Sequence, residues 1–222
     1  MLASATVGFV LHNRHSATQS SPAAVPKAAQ RKPATLSELL VLSSVELEKC
    51  DIGLMNLLCA QGLHGAENLN LADACEKLDG IAHSVEFETK RHFYRFGDKP
   101  SDYNNSEGFF RMLVLSTVLQ EDFGIHYNPD RITEPGVFAG NQTFFSDSAD
   151  VFIHGLIGER RSGTCSSMPV FYVAIGRRLG YPLKLVSCKN HLFVRWEDER
   201  QRFNIEATGV GFNSFDDEYY KT

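Results

Sequence analysis

The spacing of apolar and polar positions predicts helices along the first part of the chain. Thr35 and Glu38 form a capping-box pattern, and the leucines that follow at helical spacing predict one or two amphipathic helices. Asn70 is a helix-capping residue ahead of a second helical segment that reaches to about residue 93. A third helix is predicted from Glu107 to Phe123, because apolar residues recur there on one helical face.

A loop and a short helix are predicted after this third helix. Gly124 is placed to end the helix, since glycine readily adopts the left-handed conformation of a helix C-terminus. Residues 126–148 are mostly polar and contain prolines and glycines, so they predict a long loop. A short helix is expected from Ser148 to Ile157. Long loops in compact domains often carry function, which makes this region a candidate for part of a site.

The last part of the chain combines one helix with strand-like runs. Apolar residues at a spacing of three to four predict a helix over about 165–179, which Gly180 and Pro182 would end. Three short runs with the alternation of β-strands follow, at Leu183–Cys188, His191–Trp196 and Phe203–Thr208. Because helices come first and strands later, the sequence predicts an α+β fold with a mostly helical N-terminal portion.

The chain is expected to contain one folded domain behind a tail. Residues 1–34 are rich in alanine, serine and proline and predict a disordered tail, which is alternatively the remnant of a signal or anchor. Residues 35–222 are expected to form a single domain. Within it, 35–160 would be the helical part, and 161–222 would be the Cys165 helix with its sheet. The acidic DDEYY run at 216–220 is expected at the surface.

Composition excludes several classes of function. The formal net charge is −5 and no basic cluster is present, which argues against nucleic acid as a partner. No apolar run is long enough for a membrane span. The five cysteines are an odd number without CxxC or zinc-ligand spacing, which argues against a disulfide framework and structural zinc. A cytoplasmic location is expected, with export or membrane tethering through the N-terminal segment as the alternative.

One cysteine differs from the others in its surroundings. Cys165 lies in the sequence GTCSS, whereas Cys50, Cys59 and Cys75 follow apolar helical patterns and are expected in the core. Pro169 is tolerated mainly in the first turn of a helix, so the helix should begin close to Cys165. A helix N-terminus favours a thiolate and offers backbone N–H groups to an oxyanion.

Four further residues are candidates for supporting roles. Gly163 would let a substrate backbone approach Cys165, and Thr164 and Ser166 flank the thiol. Asn204 lies on the same predicted strand face as Glu206 and is an alternative partner for a histidine.

His191 and Glu206 are predicted to meet on one face of a hairpin. If residues 197–200 form the loop, paired residue numbers sum to 397, and Glu206 lies directly across from His191. A thiol, an imidazole and a carboxylate in this arrangement are typical of an activated nucleophile with its base and an orienting group.

The GTC, HLFVRW and FNIEAT motifs together resemble the transglutaminase-like superfamily, most closely the bacterial transglutaminase-like core. The resemblance implies a papain-like core in which Cys165 is the nucleophile, His191 the base and Glu206 the acid. The family usually has aspartate and proline where this chain has Glu206 and Ala207, which puts the activity in question.

The implied function is thiol-dependent acyl transfer or hydrolysis on an amide of a protein or peptide substrate, without a metal or other cofactor. Two alternatives remain open at this stage. One is a catalytically silent transglutaminase-like protein-interaction module, and the other is a redox-sensing thiol.

Overall fold

The computed structural model describes residues 32–132 and 146–221, and these residues form a mixed fold of helices and sheets. The predicted α+β class with a helical N-terminal part is confirmed. The α-helices of the described ranges are α1 Leu36–Leu40, α2 Ser44–Leu47, α3 Ile52–Ala60, α4 Leu71–His92, α5 Tyr94–Asp98, α6 Glu107–Thr117, α7 Ser148–Val151, α8 His154–Ile157 and α9 Met168–Arg178. The strands are β1 His126–Tyr127, β2 Ser162–Gly163, β3 Leu183–Cys188, β4 His191–Glu197 and β5 Arg202–Ile205.

The first leucine-rich region forms three short helices, where one or two were predicted. Thr35 caps α1, its hydroxyl oxygen accepting a hydrogen bond from the Glu38 N–H at 3.2 Å. The chain turns after α1 and again after α2. Asp51 then begins α3, because its carboxylate accepts hydrogen bonds from the Gly53 N–H and the Leu54 N–H. A carboxylate at this position satisfies N–H groups that have no partner within the helix.

The long helix α4 begins as predicted. The Asn70 side-chain oxygen accepts a hydrogen bond from the Ala72 N–H at 3.0 Å, and the helix buries Leu78, Ile81 and Val85 against α9 and α6. The predicted third helix is α6, which ends earlier than expected. Residues Val118–Asp122 continue it as a single π-helical turn.

Helix α9 is the centre of the molecule. Every residue from Met168 to Gly176 is buried, and the helix packs against α3, α4, α6, β3 and β4. Gly176 permits the close approach of the sheet, because a Cβ at this position would overlap the Leu183 side chain. A helix that is buried on all sides holds its N-terminal turn in a fixed place.

The three-stranded antiparallel sheet has the order β3–β4–β5. Its strand positions were predicted, but the β4–β5 register was wrong by two residues: Trp196 pairs with Phe203 and Glu197 with Arg202. The loop therefore consists of residues 198–201. Asp198 closes it, since its carboxylate accepts hydrogen bonds from Arg200 N–H and Gln201 N–H at 2.8 and 2.9 Å.

A second, parallel pair of strands was not predicted. His126 pairs with Ser162 and Tyr127 with Gly163, so part of the expected loop 126–148 is strand β1. Two residues are too few to show the alternation of a strand, so the sequence pattern could not predict their pairing with a distant segment. Residues 133–145 of the expected loop lie outside the described ranges. None of the helices described here is both long and apolar enough to cross a membrane.

Candidate active site

Cys165 lies in a turn that leads into α9. The helix begins at Met168, three residues later than the start predicted at about 165. The turn is nevertheless continuous with the helix, because the Thr164 carbonyl accepts hydrogen bonds from Ser167 N–H and Met168 N–H at 3.2 and 2.9 Å. Cys165 is 9% exposed, so the thiol lies just below the surface.

Two hydroxyl groups fix this turn from inside. Thr164 Oγ1 and Ser167 Oγ both donate to the backbone carbonyl of Asp150, at 2.8 and 3.0 Å. Thr164 Oγ1 also accepts a hydrogen bond from the Ser166 N–H at 3.2 Å. Gly163 packs so closely that a Cβ would overlap Ser167 Oγ, which gives this glycine a packing role.

The Asp150 side chain is fully buried and lies among cationic and amide groups. Its carboxylate accepts hydrogen bonds from Asn128 Nδ2 and Arg131 Nε, each at 2.8 Å, and from Arg160 Nη2. Buried carboxylates are stable only when they are paired in this way. Asp150 therefore connects β1 and the residues before β2 to the turn that carries Cys165.

His191 is the first residue of β4, and its side chain is 26% exposed. Its Nε2 lies 2.8 Å from Glu206 Oε2, and Cys165 is near enough to the ring to affect its charge. The interaction with Cys165, followed by the hydrogen bond to Glu206, raises the pKa of His191 to about 10. The imidazole is therefore protonated at neutral pH.

Glu206 follows the last residue of β5 and is buried. Its Oε1 accepts hydrogen bonds from the N–H and the Oγ1 of Thr208, at 3.0 and 2.5 Å. Burial acts to raise the pKa of Glu206, but the hydrogen bonds from His191 and Thr208 outweigh it, so the pKa is lowered. The carboxylate is charged and is held on both of its oxygens.

The two-residue register difference does not separate His191 from Glu206. In the observed register Glu206 lies diagonally across from His191, and an even shift keeps both side chains on the same face of the sheet. Diagonal neighbours are within reach of long side chains. The contact predicted between these residues therefore forms, although not through direct pairing.

Asn204 has other partners and does not contact His191. Its Oδ1 accepts a hydrogen bond from Arg195 Nε at 2.8 Å, and its Nδ2 donates to the Phe215 carbonyl and to Asp217 Oδ1 at 3.1 and 2.9 Å. Of the two candidates for a partner of His191, the structure places Glu206 in that position.

The remaining cysteines are distributed differently from expectation. Cys50 is buried, as predicted, and Cys75 is half-buried, but Cys59 is exposed because it lies on the outer face of the short helix α3. Cys188 is half-buried and its thiol donates to the His191 carbonyl at 3.5 Å. In the described ranges, no group of three or more histidine, cysteine, aspartate or glutamate side chains could hold a metal ion.

Two tyrosines near the site were not identified from the sequence. Tyr127 pairs with Gly163 in the β1–β2 ladder; its pKa is raised to about 12 by burial and by the nearby charges of Cys165 and Asp150. Tyr220 belongs to the run expected at the surface, but its ring lies parallel to that of His191 with centroids 6.2 Å apart. The local sequence around these tyrosines does not indicate a role in the site, since the position of each depends on contacts between distant segments.

An open cavity of about 560 Å³ lies on the Ser166 side of the turn. Its described lining combines apolar side chains with hydroxyl groups and one histidine. The lining residues are Leu63, His64, Ser146, Ser148, Val151, Phe152 and Ser166.

Comparison with known proteins gives a match at the level of the family. A family model described as the transglutaminase-like superfamily matches residues 72–219, which run from the second residue of α4 through both sheets and include Cys165, His191 and Glu206. F-box only protein 21 of Mus musculus is 32% identical over 59 residues, which are 27% of this chain and 9% of that protein. The same protein of Pongo abelii is 34% identical over 59 residues, with the same coverage. The chain thus matches less than a tenth of the length of these relatives, and no solved structure matches it.

Proposed function

Because the chain belongs to the transglutaminase-like superfamily, we propose that it is a cysteine-dependent enzyme that transfers or hydrolyses the acyl group of an amide in a protein or peptide. The observation that carries this proposal is the position of His191 between two partners. One ring nitrogen binds the Glu206 carboxylate, and Cys165 interacts with the same ring and favours its protonated form. A nucleophile, a base and an orienting acid in contact are the minimum for thiol acyl chemistry.

The proposed reaction begins with the sulfur of Cys165 and the carbonyl carbon of the amide. The thiol proton is held by His191, the sulfur attacks, and the C–S bond forms while the carbonyl π electrons move to oxygen. The tetrahedral intermediate then expels the amine, which takes its proton from His191, and a thioester remains. Water or an amine next attacks the thioester while His191 removes its proton; the C–S bond then breaks, the acid or the new amide leaves, and the Cys165 thiolate beside the protonated His191 is restored.

The charge of His191 before the reaction suits the proposed series of steps. Its pKa is raised to about 10, so the ring is an imidazolium at neutral pH and can donate a proton to the leaving amine. Because Nε2 faces Glu206, Nδ1 is the nitrogen left for the sulfur. Glu206 stabilises the imidazolium and fixes the orientation of the ring.

A hydrogen-bond donor for the oxyanion lies in the same turn. In the part of the chain that the structure describes, the Cys165 N–H makes no hydrogen bond, whereas the N–H groups of Thr164, Ser166 and Ser167 are all engaged. A free backbone N–H next to the nucleophile is the kind of group that stabilises a tetrahedral intermediate. The cavity beside Ser166 borders this turn, and none of Cys165, His191 and Glu206 belongs to its described lining.

One observation favours a second candidate, a catalytically silent protein-interaction module. Cys165 is only 9% exposed, and a module that retains the fold needs no access to its thiol. The two functions differ in the reactivity of Cys165, which is measurable without knowledge of the substrate.

The test is the rate of iodoacetamide alkylation at pH 6.5, in a Cys59→Ser background that removes an exposed competing thiol. We expect Cys165 to be modified first among the remaining cysteines, and His191→Ala to slow its modification about tenfold or more because the thiolate loses its cation. Glu206→Gln should slow it severalfold. Glu197→Gln is the matched control, since Glu197 pairs with Lys184 at the far end of the hairpin.

Acyl chemistry is tested separately with p-nitrophenyl acetate, by release of nitrophenolate and by mass spectrometry of acetylated Cys165. Equal alkylation rates in all variants, together with an absence of acetylation, would contradict the enzyme and support the module.

A further inference from the structure

The C-terminal strap, residues 213–221, lies against the strands that carry His191 and Glu206. Its first residue, Asn213, accepts a hydrogen bond from the Glu206 N–H at 2.9 Å, and Ser214 Oγ donates to the Asn204 carbonyl at 2.7 Å. Asp217 forms ion pairs with Arg195 and Arg202 at 2.6 and 2.7 Å. These contacts fix the strap from both ends of β5, and they determine where its last turn lies.

That last turn places Tyr220 over the acid–base pair. The Tyr220 ring stacks on Phe193 with centroids 3.8 Å apart and an interplanar angle of 14°. It is also nearly parallel to the His191 ring, at 6.2 Å and 12°. Phe193 and His191 are two residues apart in β4, so Tyr220 covers one face of this strand.

The hydroxyl of Tyr220 is buried without a hydrogen bond of regular geometry. It lies beside Glu206, and burial together with the charge of that carboxylate raises the pKa of Tyr220. The phenol therefore remains protonated and is a donor in need of an acceptor, because an unsatisfied buried hydroxyl is costly.

Glu206 has capacity for one more hydrogen bond. A carboxylate offers about four acceptor positions. Glu206 uses two on Oε1 for Thr208 and one on Oε2 for His191. Glu206 thus retains one acceptor position that a donor such as the Tyr220 hydroxyl could use.

We propose that Tyr220 is a positioning residue, whose hydroxyl donates to the Glu206 carboxylate and whose ring shields His191 from water. This inference rests on the proposed function. It also explains how glutamate, one methylene longer than aspartate, is held in place: Thr208 and Tyr220 together restrict the additional torsion. The titratable groups that face the Glu206–His191 pair are Cys165, Tyr172 of α9 and Tyr220 itself.

The experiment compares Tyr220→Phe with Tyr219→Phe, the same change at the adjacent residue, which is 53% exposed. Tyr220→Phe keeps the stacked ring and removes only the hydroxyl. We expect it to slow Cys165 alkylation by iodoacetamide at pH 6.5 about three- to tenfold. It should also lower the pKa of His191, measured by NMR titration of its ring, because a less restrained Glu206 binds the imidazolium less well. Tyr219→Phe should change neither quantity.

The outcomes separate this inference from the proposed function. If both measurements for Tyr220→Phe equal those of the wild type, the positioning role is wrong, whatever the reactivity of Cys165. If Cys165 is unreactive in the wild type but Tyr220→Phe still lowers the pKa of His191, the proposed function fails and the positioning role stands. Tyr220→Ala, which removes the ring as well, should have a larger effect than Tyr220→Phe on both quantities. An equal or smaller effect of Tyr220→Ala would contradict the shielding role of the ring.

Discussion

At the scale of single residues, the charge on His191 connects the site with the stability of the fold. The ring interacts with the Glu206 carboxylate and with the sulfur of Cys165, and both interactions favour its protonated form. A group that binds its proton more tightly in the folded state than in the unfolded state makes stability depend on pH. Glu206 acts in the opposite direction at lower pH, because its pKa is lowered on folding.

We predict the sign of this dependence for His191. Its pKa rises from 6.5 to about 10 on folding, so its stabilising contribution is fully present below pH 6.5 and is lost as the pH rises towards 10. The difference in unfolding free energy between wild type and His191→Gln should therefore shrink between pH 6 and pH 10. Urea unfolding at both pH values measures it.

The matched control for this measurement is His126→Gln on β1, whose side chain is exposed and does not touch the Glu206 pair. Its difference from wild type should stay constant with pH. A wild-type advantage over His191→Gln that grew with pH would contradict the charged state assigned to His191.

Contacts between single side chains could be predicted from the sequence only where the alternation of strand residues between the two faces of the sheet determines them. Strand periodicity places His191 and Glu206 on one face, and it does so for every register that differs by an even number of residues. The same reasoning placed Asn204 on that face, although Arg195 and Asp217 hold its side chain elsewhere. Strand periodicity predicts the face of the sheet on which a side chain lies but not the residues that it contacts. It therefore did not identify Tyr220 as a neighbour of His191.

At the scale of elements, the turn before α9 depends on a residue from a different part of the chain. Asp150 accepts hydrogen bonds from Thr164 and Ser167 through its carbonyl, and Arg131 and Arg160 pair with its carboxylate. The sequence predicted the helix and the position of Cys165 close to its start but not this support, because a carbonyl acceptor has no signature in a pattern of side chains.

Asp150→Asn should destabilise the protein by about 2–3 kcal/mol, since it removes the charge of a fully buried carboxylate that accepts hydrogen bonds from the half-exposed guanidinium groups of Arg131 and Arg160. Asp147→Asn is the matched control, because Asp147 also pairs with Arg160 but is 40% exposed, and it should cost less than about 1 kcal/mol. Urea unfolding measures both. If the two variants lost equal stability, the Asp150 cluster would not be the support described.

At the scale of the whole molecule, the core joins the helical part to the sheet. Buried side chains of α4, α6, α9 and β4 belong to one apolar cluster, which includes Leu78, Phe110, Phe171 and Val194. The N-terminal helices add a smaller cluster, with Leu39, Leu54 and Leu58. This continuity supports the proposal that residues 35–222 form one domain. The fold class was predictable because the order of helical and strand patterns determines it.

Removal of residues 1–31 should leave the melting temperature nearly unchanged, because their composition offers little apolar surface to bury. Removal of residues 1–47 should lower it clearly, since Leu39 of α1 is buried against α3. Circular dichroism on heating measures both. An equal drop for the two deletions would show that the first residues contribute to the domain.

The complete burial of α9 has a consequence for how the site opens. A helix enclosed on all sides exchanges its amide hydrogens only when the whole protein unfolds, whereas half-exposed strands such as β3 open locally at much lower free energy. Cys165 is joined to the enclosed helix, and His191 begins the strand beside β3. The proposed catalytic pair thus spans two cooperative units, and fluctuations of the hairpin, rather than of the helix, would set how long sulfur and imidazole remain together.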